Sequence, residues 1–221
     1  MDVIHTRKSF DDELHEVKEY ILKMGSAVEQ MLAGSIKALR ERNTTLAEEV
    51  IARDDIVDEY NMVIEQSCLR LLALQQPMAR DLRTIAAALY IAKDVERMGD
   101  YALDIAKAAK KLAPMEPVKT LVKIPKIAEI VQTMLHDSLQ AFVNHDVQVI
   151  TEVAQQDDEV DRIYRQIRDE LIELIQTNPE TAQRAVELIL VARYLERIAD
   201  HITNVGERIA YMETGEIKEL H

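Results

Sequence analysis

An all-α fold, built as two tandem, internally duplicated three-helix bundles, follows from three features of this sequence. The first is composition: the 221 residues hold five Gly, five Pro and no Trp, and only 4% are aromatic. Strands draw on aromatic and β-branched residues and on Gly-rich turns, so the chain is poorly supplied for sheets. The second is apolar periodicity at helical spacing, with Val57, Ile64, Cys68 and Leu71 in one stretch and Ile85, Leu89, Val95, Met98, Ala102 and Ile105 in another. The third is a repeat. At an offset of 103, Asp54-Asp55-Ile56-Val57-Asp58 returns as Asp157-Asp158-Glu159-Val160-Asp161, and at an offset of 100, Glu96-Arg97-Met98-Gly99-Asp100 returns as Glu196-Arg197-Ile198-Ala199-Asp200. A period near 100 residues is a domain duplication, too long for a solenoid unit.

The elements follow in order. Six long helices are predicted, over roughly 7–41, 44–75 and 78–112 in the first half and roughly 120–143, 146–176 and 179–213 in the second. Asn43 supplies capping chemistry between the first two, as Asn144 and Asp146 do in the second half. Pro77 and Asn178-Pro179 open the third helix of each half, because proline is tolerated in a first turn and breaks an interior. Pro114, Pro117 and Pro125 cluster in the middle, and Ala113–Pro117 reads as the linker between a domain over 1–113 and another over 118–221. Short connections make successive helices antiparallel.

Charge and cysteine usage exclude several classes. The formal charge of −13 repels nucleic acid and anionic lipid and favours cations or basic protein surfaces. The chain has no apolar run near the ~18 residues that span a bilayer, and Met1 to Asp12 is unlike a signal peptide, so a cytosolic protein without membrane insertion is expected. The single Cys68 cannot pair within the chain and sits on an apolar stripe, as a packed core thiol does.

The chemistry lies in four pairs of carboxylates spaced i, i+4: Asp54/Asp58, Glu96/Asp100, Asp157/Asp161 and Glu196/Asp200. Each pair stacks like charges on one helix face, at a cost of about 0.2–0.5 kcal/mol. In the first half, Asp58 lies 19 residues before Pro77 and Glu96 lies 19 after it. Both therefore stand roughly 28 Å from the turn, at one height. The corresponding intervals in the second half are 18 and 17. The rotational senses also agree, so four carboxylates per half should converge on the border of the groove between the second and third helices. Ala92 and Gly99, with Ala192 and Ala199, lie between these acids and the core and allow close approach.

An oxygen-only set suits hard cations such as Mg²⁺, Ca²⁺, Mn²⁺ or iron, with more than one ion per half. The competing reading is a solvated acidic face balanced by Lys93, Arg97, Arg193 and Arg197. The histidines add no ligand motif: His5 and His221 are terminal, His15, His136 and His145 lack suitable helical partners, and His201 points about 100° away from Asp200. There is no Glu-x-x-His pair of the ferritin type, no phosphate loop, no nucleophile elbow and no paired-cysteine zinc motif. No enzyme is expected.

Lys93-Asp94-Val95-Glu96-Arg97-Met98-Gly99-Asp100 and Arg193-Tyr194-Leu195-Glu196-Arg197-Ile198-Ala199-Asp200 resemble the paired signature of the PhoU family, phosphate-transport accessory and regulatory proteins of bacteria. Gln76-Pro77-Met78-Ala79-Arg80-Asp81-Leu82-Arg83 resembles that family's turn into its third helix. The resemblance covers nearly the whole chain and implies two similar three-helix bundles, a homodimer, and metal clusters of divalent or trivalent ions (Fe, Mn, Mg, Ca or Zn) on the eight carboxylates named. It also implies a cytoplasmic negative regulator of phosphate uptake and of the phosphate-starvation response. Such a regulator sits at the inner membrane between the phosphate transporter ATPase and a sensor histidine kinase. Ala199 replaces the usual small Gly of the second motif, which is expected to be harmless, whereas Asn204 stands where the first half has Asp104, so the two sites are expected to differ in affinity or nuclearity. Two other classes remain: a carboxylate-bridged metalloenzyme or metal-storage protein, and a helical scaffold without metal.

Overall fold

The computed structural model describes residues 2–117 and 123–216, with side chains from Phe10 onward. The expected helix start at 120, the domain boundary at 118 and His221 lie outside the described residues, as does the side chain of His5. The elements are α1 (Asp2–Glu41), α2 (Thr44–Ile51), α3 (Asp54–Gln75), α4 (Arg80–Leu112), α5 (Lys123–Asn144), α6 (Val149–Thr177), a 3-10 turn at Pro179–Thr181, and α7 (Ala182–Thr214). Every element among the described residues is helical, as predicted, and the rods form two three-helix bundles in sequence.

The second rod is not the single helix expected over 44–75. It breaks at Ala52–Arg53, where hydrogen bonds tighten to Arg53 N→Val50 O and Ile56 N→Arg53 O, both 3.1 Å. The broken stretch itself holds no proline or glycine. The rod breaks just past a close contact with α1, where a Cβ at Gly34 would stand 2.7 Å from Val50 Cγ2. Asp137 occupies the matching place in the second half and lines an open cleft with Val149 and Glu152, and α6 runs through unbroken.

Two other boundaries differ for local reasons. α6 begins at Val149 rather than at 146, because Asp146 Oδ1 accepts from Gln148 N at 2.9 Å and holds a turn there. Pro179 opens a 3-10 turn, closed by Thr181 N→Asn178 O at 3.0 Å, before α7. The cap at Asn43 is as predicted, its Oδ1 accepting from Leu46 N at 3.0 Å. Asn43→Ala should cost about 1 kcal/mol in urea unfolding, since one first-turn N–H loses its partner.

The residues following α1 and α5, Arg42 and His145, both have φ near 56°. Each reaches the end of its own half's last rod: Arg42 Nε donates to Ala113 O at 2.8 Å, and His145 Nδ1 meets Glu213 Oε1 at 2.5 Å. His145 Nε2 also meets Lys18 at 3.2 Å, which ties the second half to α1.

The core is aliphatic and continuous through both halves, with Cys68 fully buried in it and its thiol pushed up to about 12 by burial. The halves meet where α4 packs along α7 and α1 meets α5. Pairings along the α4–α7 seam run in opposite senses: Arg83 with Met212, Tyr90 with Arg208, Asp94 with His201, Tyr101 with Tyr194, Lys111 with Glu187. The two rods are therefore antiparallel and cross near Gly99 and Ala199, which relates the halves by an approximate two-fold. None of the described helices is long and apolar enough to cross a membrane.

Candidate metal centre

The eight predicted carboxylates lie on four rods: Asp54 and Asp58 open α3, Glu96 and Asp100 sit mid-α4, Asp157 and Asp161 are on α6, and Glu196 and Asp200 are mid-α7. The hairpins bring them towards one another. The Asp54 carboxyl is raised above its ordinary range first by burial, then by Asp58 on its own helix and by Asp100 across the groove. Glu196 is pushed up to about 7, first by burial, then by Asp200, with Asp161 of α6 adding to the effect. Each groove thus gathers negative charge from both its walls.

Small residues make this proximity possible. A Cβ at Gly99 would lie 3.2 Å from Val57 Cγ1 and 3.6 Å from Val28 Cγ2, so α4 is pressed against α3 and α1 one residue before Asp100. Ala199 fills the same place in α7 and is fully buried.

The basic residues named from the sequence are engaged with the same acids. Lys93 Nζ donates to Glu96 Oε2 at 2.6 Å, and Arg97 NH1 to Asp100 Oδ2 at 2.9 Å. In the second half Arg193 donates to Glu196, and Arg197 NH1 to Asp200 Oδ2 at 2.9 Å. With the side chains turned onto these cations, no three His, Cys, Asp or Glu side chains among the described residues stand close enough to share an ion.

The halves differ at the buried glutamate. Glu196 is only 7% exposed, and its Oε2 is buried with no hydrogen-bond partner. Arg197 Nε stands 3.8 Å from that oxygen, an ion pair too long for a hydrogen bond. A buried carboxylate oxygen without a donor is costly in protein alone and is what a hard cation would satisfy. The residues present fit a carboxylate-bound metal on that count, most clearly in the second half. Lys93 is replaced there by Arg193, whose guanidinium lies 5.6 Å from the Tyr164 ring.

The seam contacts were not readable from the sequence. His201 Nδ1 meets Asp94 Oδ1 at 2.8 Å, and Asn204 Nδ2 lies 3.4 Å from the same oxygen. Asn204 is thus directed to the seam, while its counterpart Asp104 pairs with Lys107 at 3.3 Å. The sequence marks these positions only by their departure from the repeat, Asn204 against Asp104 and His201 against Tyr101.

The PhoU domain model matches residues 21–109 and 124–209. Over 217 residues the chain is 37% identical to the phosphate-specific transport system accessory protein PhoU homolog of Clostridium acetobutylicum, covering 98% of this chain and 99% of that protein. It is 42% identical over 205 residues to the homolog of the same name from Aquifex aeolicus, with 93% of each covered. The crystal structure of PhoU from Pseudomonas aeruginosa superposes with a TM-score of 0.91 at 34% identity, covering 94% of this chain and all of that one. A phosphate transport system regulatory protein, PhoU from Streptococcus pneumoniae, gives 0.88 at 32% identity, covering 95% and 99%.

Proposed function

The chain belongs to the PhoU family, and from that premise we propose that it is an accessory protein of a phosphate-specific transport system. It acts as a non-enzymatic, cytoplasmic adaptor, working as a homodimer. It links the transporter's ATPase to a sensor histidine kinase and represses phosphate uptake and the phosphate-starvation response when phosphate is plentiful. The observation that carries this reading is the near end-to-end match to relatives named as transport accessory proteins. The acidic surface favours basic patches on its partners and sets encounter rates more than affinity.

Metal belongs to the same reading. Asp54, Asp58, Glu96 and Asp100 would hold it in the first half, and Asp157, Asp161, Glu196 and Asp200 in the second. Bound ions supply positive charge to the crowded acids, and the chain's own part is to hold those acids on two rigid rods per half. Glu96→Ala/Asp100→Ala should lower the metal content measured by elemental analysis by the first half's share, with helicity unchanged by circular dichroism. Unaltered stoichiometry would remove these residues from the site.

The adaptor role is tested by affinity capture from phosphate-replete cells with mass spectrometry. Recovery of the transporter ATPase or the sensor kinase is expected, with weaker recovery after phosphate starvation. Capture of neither, or turnover of peroxide, oxygen or a phosphoester by the metal-loaded protein, would overturn it.

A further inference from the structure

The turn joining α3 to α4 differs in two ways from its counterpart joining α6 to α7. It is apolar: Leu74 is 70% exposed and Met78 is 78% exposed, flanked by Leu69 and Leu82 at 53% and 45%. The exposed residues at the second turn include Gln176, Thr177 and Glu180, and only its flanks, Ile172 at 42% and Val186 at 48%, match those of the first, so the difference lies at Leu74 and Met78. It is also richer in arginine. Between Gln66 and Arg83 the chain carries three arginines against the single acid Asp81, whereas the matching stretch from Asp169 to Val186 carries four acids against the single base Arg184.

The second hairpin serves as an internal control. It shares the architecture and carries Thr177 and Asn178 in the places of Leu74 and Met78, so apolar side chains at those two places are not required by the fold. Contiguous exposed apolar side chains with a polar rim mark an interaction surface. We propose that the α3–α4 tip is a docking peg that enters an apolar groove with an acidic rim on a partner protein. The tip is convex, the end of two rods, and so fits a groove; methionine adapts to such a surface by its flexible thioether. Arg70 and Arg80, more than half exposed, are held at its border by Glu13 at 3.2 Å and Glu213 at 2.9 Å. An anionic lipid surface is disfavoured as the occupant because the whole chain carries −13. This inference rests on the adaptor reading and gives that adaptor its point of contact.

The test measures binding of the full chain to the purified transporter ATPase and to the cytoplasmic part of the sensor kinase. It compares the parent, Leu74→Asp/Met78→Asp, and Thr177→Asp as the second-tip control. The first-tip variant should weaken binding by at least about tenfold, as loss of a central apolar anchor does. The control should bind like the parent, and parent binding should weaken with added salt. All three should show the same circular dichroism, since the altered residues are exposed. Equal binding by the first-tip variant overturns the peg and leaves the adaptor reading intact. Failure of the parent to bind either protein overturns the adaptor reading and the peg with it. A change in sedimentation of the first-tip variant alone, with partner binding unchanged, would assign the tip to self-association instead.

Discussion

Metal-free protein carrying Glu196→Gln should be more stable than the parent at pH 8 by about 1–3 kcal/mol, and no more stable at pH 4.5. The Glu196 carboxyl titrates near 7 in the folded chain, against an ordinary 4.5, because it is buried and faces Asp200 and Asp161. The folded state therefore holds this proton when the unfolded chain has already lost it. The stability it contributes is fully present below about pH 4.5 and is lost as pH rises through about 7. A neutral amide keeps the shape and can still accept from Arg193, but carries no buried charge. Urea unfolding in chelator at pH 4.5, 6 and 8 measures the difference. Parallel profiles for parent and variant would show that Glu196 is not held protonated by its surroundings.

Gly99→Leu should destabilise the protein by about 1–3 kcal/mol and disturb the first groove while sparing the second. Even a Cβ at this position stands 3.2 Å from Val57 Cγ1, so the remaining atoms of a leucine must push α3 away or leave their preferred rotamers. Gly99→Ala is the control. The methyl is tight, but replacing helical glycine returns up to about 1 kcal/mol, and Ala199 shows the fold accommodating a methyl at the matching place. The alanine variant should sit near the parent. Because Asp54 and Asp58 ride on α3, the leucine variant should also lose first-half metal in elemental analysis. Loss of stability with full metal retained would separate the packing at Gly99 from the geometry of the acids.

What the sequence made legible was whatever depends on counting along one rod. The distances of Asp58 and Glu96 from Pro77 placed both acids at one height, and the structure brings Asp54 within electrostatic reach of Asp100. The Asn43 cap and the buried Cys68 were legible for the same reason, since local spacing decides them. The break at Ala52–Arg53 was not: no proline or glycine marks it, and the close approach beside it joins Gly34 and Val50, which belong to different rods. Nor was the clasp of Asp94 and His201, 107 residues apart and contributed by different halves. Periodicity marks His201 as a boundary residue and says nothing of which neighbour it meets. The engagement of Glu96/Asp100 and Glu196/Asp200 by Lys93, Arg97, Arg193 and Arg197 follows the reading set against metal in the sequence.

The opposed course of α4 and α7 has a mechanical consequence. Each rod carries half the acids of its own groove, and the two are packed side by side through Asp94, Tyr101, Tyr194 and His201. A sliding or tilting of one against the other cannot be confined to one end of the molecule. A ligand that shifted one rod against the other would therefore act on both grooves through a common keel, and any such coupling runs equally in both directions.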